Sequence, residues 1–200
     1  MTQGYLPSPE PRRPAMSEPP SEDTTFTGLL PTSLVVTIRG ERPADELEAG
    51  EIVIVLARAG YSPVQRVTET IVDLARRPEA APVLVTEGAL DRFSPSRTTV
   101  LAPQSLLGLD DWLIPAEALV NGRSIRRLPA SGLVRYVQLE MGQHDMIVAD
   151  GVRVASLRRG EEPCRPLLGP GPTLDALRER ILRRIPSLEA AGLLPPAEHG

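Results

Sequence analysis

The stretch PADELEAGEIV at residues 43–53 recurs 72 residues later as PAEALVNGRSI at residues 115–125. Proline, alanine, an acidic residue, leucine, glycine and a β-branched residue stand at the same six offsets in both copies. Each copy is typical of a helical turn that begins at proline, stops at glycine and leads into a strand. The repeat predicts two similar halves related by approximate twofold symmetry, with Gly50 and Gly122 in equivalent positions.

Short runs rich in β-branched residues surround the repeat. They cover residues 34–37, 52–56, 64–67, 82–85, 98–101, 133–139, 146–148 and 152–154. Many short strands separated by turn residues predict a mainly β domain. Asp150-Gly151 between two such runs predicts a tight hairpin, and residues 70–77 are expected to form one or two helical turns. The predicted core contains Val35, Ile52, Ile54, Leu119, Ile125, Tyr136, Leu139, Ile147 and Val148.

The composition narrows the range of functions. The net charge is −4 and all 22 basic residues are arginine, so no basic surface favours nucleic acid. No apolar run approaches the roughly 20 residues of a membrane-spanning helix. The single cysteine makes an internal disulfide impossible. With only two histidines besides, we expect no metal site, and no cofactor is predicted. No classical signal peptide precedes the domain, so a cytoplasmic location or export by another route is expected.

The two ends of the chain differ from its middle. Residues 1–27 contain six prolines among polar residues and are predicted to be a disordered tail. Residues 28–160 form the β domain, and residues 161–192 a Pro/Gly linker and an arginine-rich helix, followed by a tail at residues 193–200. The helix is expected to begin at Thr173 and end at Pro186. Its apolar stripe comprises Leu174, Leu177, Ile181, Leu182 and Ile185. The stripe fits docking on the β domain, or alternatively binding to a partner or a membrane surface.

The usual catalytic patterns are missing from the sequence. Neither G-x-x-x-x-G-K-[ST] nor G-x-S-x-G occurs. Asp110 and Asp111 are adjacent, so on a strand they would face opposite sides, and we interpret them as solvated loop acids. Cys164 and His144 could form a nucleophile–base pair, but the segment EEPCRP around the cysteine favours an idle thiol.

Three stretches resemble the Hint domain, the module shared by Hedgehog autoprocessing domains and inteins, and most closely its bacterial form. They are SLVVTIRGERPADELEAGEIV (33–53), LAPQSLLGLDDWLIPAEALVNGRSIRR (101–127) and VRYVQLEMGQHDMIVADGVRVASL (134–157). The similarity covers roughly residues 28–160. It implies an all-β horseshoe of short strands with pseudo-twofold halves, which agrees with the repeat, and the helix at the C-terminus adds to it.

The resemblance also implies a chemistry that this sequence does not support. The family uses a cysteine at its first position to attack the preceding carbonyl, and the matching residue is Gly28. Its Thr/Ser-x-x-His motif, which polarises the amide and protonates its nitrogen, corresponds to the segment from Ala102 to Ser105. A polar His or Asp corresponds to Gln138, which is neither an acid nor a base at neutral pH. A glutamate corresponds to Ala155. Among these positions His144 alone is retained.

We therefore predict a catalytically inactive Hint-like domain that serves as a structural or protein-binding module. The first alternative is self-processing through a hydroxyl group of Thr27 or Ser33, with His144 as acid and base. The second is an interaction protein whose binding element is the arginine-rich helix at residues 173–185. The sequence identifies no particular protein partner.

Overall fold

The computed structural model describes residues 25–58, 60–157, 160 and 162–195. These residues form twelve strands and two α-helices. The strands are β1 (Leu34–Thr37), β2 (Gly40–Pro43), β3 (Ile52–Val55), β4 (Gly60–Asp73), β5 (Val83–Val85), β6 (Thr99–Leu101), β7 (Leu106–Leu109), β8 (Trp112–Pro115), β9 (Ile125–Arg127), β10 (Leu133–Met141), β11 (Met146–Ala149) and β12 (Val152–Ala155). The helices are α1 (Pro172–Leu182) and α2 (Ile185–Ala190). The predicted mainly β fold with a helical C-terminus is confirmed.

The repeat found in the sequence is a structural repeat. In the first half the β1–β2 hairpin leads into a 3-10 turn, Ala44–Glu46, and in the second half β7–β8 leads into another, Ala116–Leu119. The Ala44 amide donates a hydrogen bond to the Ser33 carbonyl, and the Ala116 amide donates one to the Ser105 carbonyl, both at 2.9 Å. The two halves therefore place Ser33 and Ser105 in equivalent turns ahead of equivalent hairpins.

Gly50 and Gly122 occupy matching positions, as predicted. Both follow the 3-10 turn of their half, and their φ angles are +93° and +74°. These left-handed conformations suit glycine because a side chain would be strained there. The leucine of each copy, Leu47 or Leu119, is buried in the core just before.

The strands form two antiparallel sheets. The larger has the order β10-β4-β3-β1-β11-β12-β7-β8, with β2 paired to β1, and the smaller has the order β6-β5-β9. Strand β4 is 14 residues long and pairs with both β3 and β10. The prediction of helical turns at residues 70–77 is wrong for Thr70, Ile71 and Val72, which continue β4, whereas one turn forms after the strand, where the Arg77 amide donates to the Asp73 carbonyl at 2.9 Å. Three β-branched residues in sequence favour an extended backbone.

The Asp150-Gly151 hairpin forms between β11 and β12 as predicted. Both residues have positive φ, at 51° and 76°. The buried Asp150 carboxylate also joins distant parts of the chain. It accepts hydrogen bonds from the Leu34 amide at 2.9 Å and from the Thr99 hydroxyl at 2.7 Å. The turn therefore connects β1, β6 and the β11–β12 hairpin.

Most of the predicted core is buried, and three residues are not. Val35, Leu119, Ile125, Tyr136, Leu139 and Ile147 are at most 3% exposed. Ile52 is 38% exposed, and Ile54 and Val148 are half-buried. On β3 the alternate residues Val53 and Val55 face the core instead. Because both faces of β3 are apolar, its pattern could not indicate which face is inside.

The C-terminal segment is docked on the β domain. Leu174, Leu177 and Ile181 of α1 belong to the main apolar core, whereas Leu182 is 43% exposed. Helix α1 begins at Pro172, directly after Gly171, rather than with Thr173 as its cap. Pro186 does not end the helical segment but lies in the first turn of α2, where its missing N–H costs nothing.

Arginines of the C-terminal helical segment also contact the domain. Arg178 donates to the Ala118 carbonyl, Arg184 donates to the Gly88 carbonyl, and Arg180 binds both carboxylate oxygens of Asp110. The buried stripe and these contacts favour the docked interpretation of the helix over the partner-binding or membrane-surface one.

The structure differs from the predicted boundaries at several points. Phe26 is buried, so the folded part begins before residue 28. The Pro/Gly linker lies along β8, where Leu113 bonds to the backbone of Pro166 and Leu168. Leu194 is buried as well. The proposed tail residues 1–24 and 196–200 lie outside the described residues. No helix in the described part is both long and apolar enough to cross a membrane.

Candidate functional site

A cavity of about 650 Å³ lies between the first described residues, β10, β12 and the segment at residues 167–169. Its lining includes four of the six positions that the sequence resemblance predicts to match the family's processing site: Gly28, Gln138, His144 and Ala155. Ser105, which is buried, contacts Gly28 directly. The fold thus brings together residues that are up to 127 positions apart in the sequence.

The backbone amide and the backbone carbonyl of Gly28 are both hydrogen-bonded. Its amide donates to the Ser105 hydroxyl oxygen at 2.9 Å, and the same hydroxyl donates to the Gly28 carbonyl at 2.9 Å. The Ala102 amide donates to that carbonyl as well, at 3.0 Å. Ser105 and Ala102 therefore bind the backbone at Gly28 instead of supplying a proton to it.

Gly28 also has no space for a side chain. Its φ is +130°, and a Cβ atom built on this backbone would lie 2.8 Å from the Val137 carbonyl oxygen and 3.2 Å from Cγ of Gln138. Cβ atoms do not approach a backbone oxygen this closely, so a side chain would force the chain away from β10. The backbone at Gly28, the position predicted to match the family's first residue, is thus shaped for glycine.

Gln138 contacts the residue just before Gly28. Its Nε2 donates to the Thr27 carbonyl at 3.0 Å and to the Thr27 hydroxyl at 2.9 Å. Its Oε1 accepts from the Thr68 hydroxyl at 3.3 Å, which fixes the orientation of the amide. The amide holds the Thr27–Gly28 bond in place, but it neither gives nor takes a proton at neutral pH.

Gln104, which the sequence did not single out, holds the residue on the other side of Thr27. Gln104 Oε1 accepts from the Phe26 amide at 2.8 Å, and the Gln104 amide donates to the Phe26 carbonyl at 3.0 Å. Leu29 exchanges two 2.8 Å backbone hydrogen bonds with Val137. We call residues 26–29, with these bonds, the clamped segment. Gln104 lies within the Ala102–Ser105 segment that matches the family's motif. This position is the one feature of the sequence that could have indicated its role.

His144 is buried at 3% exposure on the wall of the cavity. Its Nδ1 accepts a hydrogen bond from the Cys164 amide at 2.9 Å. A nitrogen that accepts a hydrogen bond carries no proton, so this contact assigns the neutral tautomer with its proton on Nε2. The contact also ties the segment after β12 to the domain, which is a structural role.

Asp145, next to His144, is a buried carboxylate with a structural role as well. It accepts hydrogen bonds from the Ala57 and Met146 amides at 2.8 and 2.7 Å, and its own amide donates to the Ser156 hydroxyl oxygen. A carboxylate that accepts backbone amides in this way fixes the β3–β4 turn against β11.

Cys164 lies close to His144, but not as a nucleophile paired with a base. Their hydrogen bond joins the cysteine backbone to the ring and does not involve the thiol. Burial raises the pKa of the Cys164 thiol, and the Asp145 carboxylate raises that pKa further. A raised thiol pKa reduces the thiolate fraction at neutral pH, which favours the interpretation of an idle cysteine.

The remaining candidates lie elsewhere or have other partners. Ser33 is buried in its own turn and does not line the cavity, whereas Thr27 does. Asp110 and Asp111 are solvated acids of the β7–β8 turn, as predicted, with side chains 54% and 89% exposed, and they form ion pairs with Arg180 and Arg165 of the C-terminal segment. The adjacent acids thus attach that segment to the β7–β8 hairpin.

The chain resembles known proteins in sequence and in fold. Residues 27–161 match the Hint domain family, and the chain belongs to that family. The solution structure of a bacterial intein-like domain from Clostridium thermocellum has a TM-score of 0.51 at 10% identity, covering 67% of this chain and 100% of that chain.

Two crystal structures are also similar. The DnaB intein from Synechocystis sp. PCC 6803 has a TM-score of 0.48 at 13% identity, covering 66% of this chain and 99% of that chain. The MchDnaB-1 intein has a TM-score of 0.47 at 14% identity, covering 63% and 98%. Identities this low concern the fold only. No curated protein sequence matches the chain.

Proposed function

We propose that this chain is a Hint domain that does not cleave itself and that serves as a protein-binding module. The absence of self-cleavage is supported by the environment of Gly28, at the position where the family has its nucleophile. Glycine offers no thiol or hydroxyl, and the backbone leaves no room for one. The bond between Thr27 and Gly28 then stays intact, and the clamped segment joins the preceding residues permanently to the domain.

The hydrogen bonds at this peptide support the same conclusion. Cleavage of an amide requires a nucleophile at its carbonyl and a proton at its leaving nitrogen. The Thr27 carbonyl is polarised by Gln138, but the Gly28 nitrogen donates its own proton to Ser105. Because the Ser105 hydroxyl directs its proton to the Gly28 carbonyl, it cannot supply one to the nitrogen.

The alternative is attack by the Thr27 hydroxyl on the Phe26 carbonyl. It deserves a test because Thr27 and His144 line the same cavity. Against it, the Thr27 hydroxyl contacts the Gln138 amide, which is not a base, and the Phe26 carbonyl is held by Gln104. Ser33, the other hydroxyl considered, does not line this cavity.

An intact mass spectrum tests the absence of cleavage. The full chain is incubated for several days at neutral pH, with and without dithiothreitol and hydroxylamine, which trap thioesters and esters. We expect one species at 21.6 kDa in every sample. Fragments that break before Gly28 or before Thr27 would overturn the proposal. Thr27→Val serves as the matched variant, because loss of such fragments in it would establish the hydroxyl mechanism.

A further inference from the structure

The outer face of the larger sheet carries an apolar surface that nothing covers in the described residues. We call it the outer patch: it comprises Val36, Ile38, Ile52, Ile54, Tyr61 and Val148. Ile38 is 52% exposed, Ile52 38% and Tyr61 70%, and the other three are half-buried. Three of the six, Ile52, Ile54 and Val148, are residues that the sequence pattern placed in the core.

The strand registers make the patch continuous. Thr37 pairs with Val53, and Ile147 pairs with Val55, and all four side chains face the core. Because side chains alternate along a strand, the residues next to them face outward. Strands β1, β3 and β11 meet at this point, so Val36, Ile54 and Val148 lie together on the outside. Tyr61 is directly opposite Ile54 on β4 and extends the same face.

An apolar outer face is unusual for such a sheet. An antiparallel sheet with one face in water ordinarily alternates apolar and polar residues. Here the inner and outer residues of β3 are all valine or isoleucine. Contiguous apolar surface of this kind is a mark of interaction sites.

The charges beside the patch indicate what covers it. Arg39 lies in the turn next to Ile38, and Arg153 is directly opposite Val148. Both arginines are exposed, and neither has a carboxylate partner among the described residues. The nearby acids Glu41 and Glu51 are already paired with Arg97 and Arg42. The exposed Glu48 lies beside Arg39 and Ile52 and offsets one of the two arginines, so the border keeps a surplus of one positive charge, although the chain as a whole is acidic.

The surplus argues against a second copy of this chain as the occupant. A twofold interface would set the same patch against itself and would bring uncompensated arginines to both sides. A membrane is also disfavoured, because the central residues are half-buried on a sheet face and do not protrude. An acidic polypeptide with aliphatic side chains matches both the apolar centre and the cationic border.

We propose that the outer patch binds a segment of a partner protein in which aliphatic residues are flanked by aspartate or glutamate. This names the partner class of the proposed binding module and rests on that part of the proposed function. Its failure would leave the absence of cleavage untouched, because the two are measured separately.

The test uses a displayed library of random peptides selected on the immobilised full chain, followed by affinity measurements on the recovered peptides. We expect them to be rich in aliphatic and acidic residues. We expect Ile38→Ser, Ile52→Ser, Arg39→Glu and Arg153→Glu each to weaken binding at least about tenfold, a loss of roughly 1.4 kcal/mol. Binding should also weaken with added salt, because exposed charges are screened.

Matched controls keep the result specific. Ile71→Ser changes an isoleucine that is 64% exposed at the other end of β4, and Arg126→Glu changes an exposed arginine on β9. Neither should alter affinity, and thermal melting confirms that every variant is folded. Recovered peptides without acidic residues, or peptides whose affinity the patch variants leave unchanged, would overturn the proposal. So would self-association that Ile52→Ser abolishes, or binding to vesicles of anionic phospholipid that it abolishes.

Discussion

Ser33 and Ser105 are equivalent residues of the two halves, yet only the Ser105 hydroxyl is used to hold another segment. Each serine carbonyl accepts a 2.9 Å hydrogen bond from the alanine that opens the following 3-10 turn. The Ser105 side chain in addition bonds to the amide and the carbonyl of Gly28. The two halves have thus diverged at the position where the resemblance to the family places a catalytic histidine.

Replacing Gly28 with cysteine should not restore a working site. The substitution Gly28→Cys places a Cβ atom against the Val137 carbonyl at a φ of +130°, so we expect a loss of about 1–3 kcal/mol of folding stability. Urea unfolding measures the loss, and mass spectrometry with a thiol should show no cleavage. Gly50→Ala is the control, because Gly50 also has positive φ but no atom within 4 Å of its Cβ position. A smaller loss for Gly28→Cys than for Gly50→Ala would contradict the account.

The C-terminal helix should behave as part of the core. Leu177 is 5% exposed and packs in the main apolar cluster, whereas Leu182 on the same helix is 43% exposed. We expect Leu177→Ala to cost about 2–5 kcal/mol of unfolding free energy, and Leu182→Ala much less. Chemical denaturation of the two variants compares them directly. Equal effects would mean that α1 is only loosely attached.

Tyr136 predicts how stability depends on pH. Its hydroxyl donates a 2.6 Å hydrogen bond to the Ala80 carbonyl inside the protein, and burial raises the pKa of Tyr136 well above its usual range. An acid whose pKa is raised by folding contributes stability that is fully present below its unfolded pKa and is lost as the pH rises beyond it. We therefore expect stability to fall above about pH 10, the usual tyrosine value.

Tyr136→Phe isolates this contribution. The variant should be less stable than the wild type near pH 8, by about 1 kcal/mol for the lost hydrogen bond, but should lose less stability between pH 9 and pH 11. Urea unfolding across that interval gives the comparison. Parallel curves for the two proteins would show that Tyr136 does not titrate on unfolding.

The sequence was most informative where two independent patterns coincided. The repeat at residues 43–53 and 115–125 predicted the paired hairpins and the equivalent glycines, because turns have strict backbone requirements that few residues meet. The Asp150-Gly151 turn was predictable for the same reason. The family resemblance then brought Gly28 and Gln138 to one cavity, which no spacing along the chain could have indicated.

Other features depend on contacts that a single sequence does not encode locally. Ile52 and Val53 are equally apolar, so only the register with β1 and β4 decides which of them faces the core. Proline ends most helices, but Pro186 is compatible with the first turn of α2. The sequence does not distinguish Gln104 from other polar residues, but in the fold its Oε1 accepts a 2.8 Å hydrogen bond from the Phe26 amide. In each case the tertiary structure decides between local alternatives of similar energy.

Hydrogen exchange at the Gly28 amide tests most directly whether the hydrogen bonds of the Ser105 hydroxyl hold the clamped segment in place. In the wild type we predict strong protection of this amide by the Ser105 hydroxyl. Ser105→Ala should remove that protection and cost about 1–3 kcal/mol of stability, because it leaves the Gly28 amide without its acceptor. Ser33→Ala, at the equivalent position of the other half, should leave the Gly28 amide protected. Fast exchange of the Gly28 amide in the wild type, or unchanged exchange in Ser105→Ala, would contradict the account.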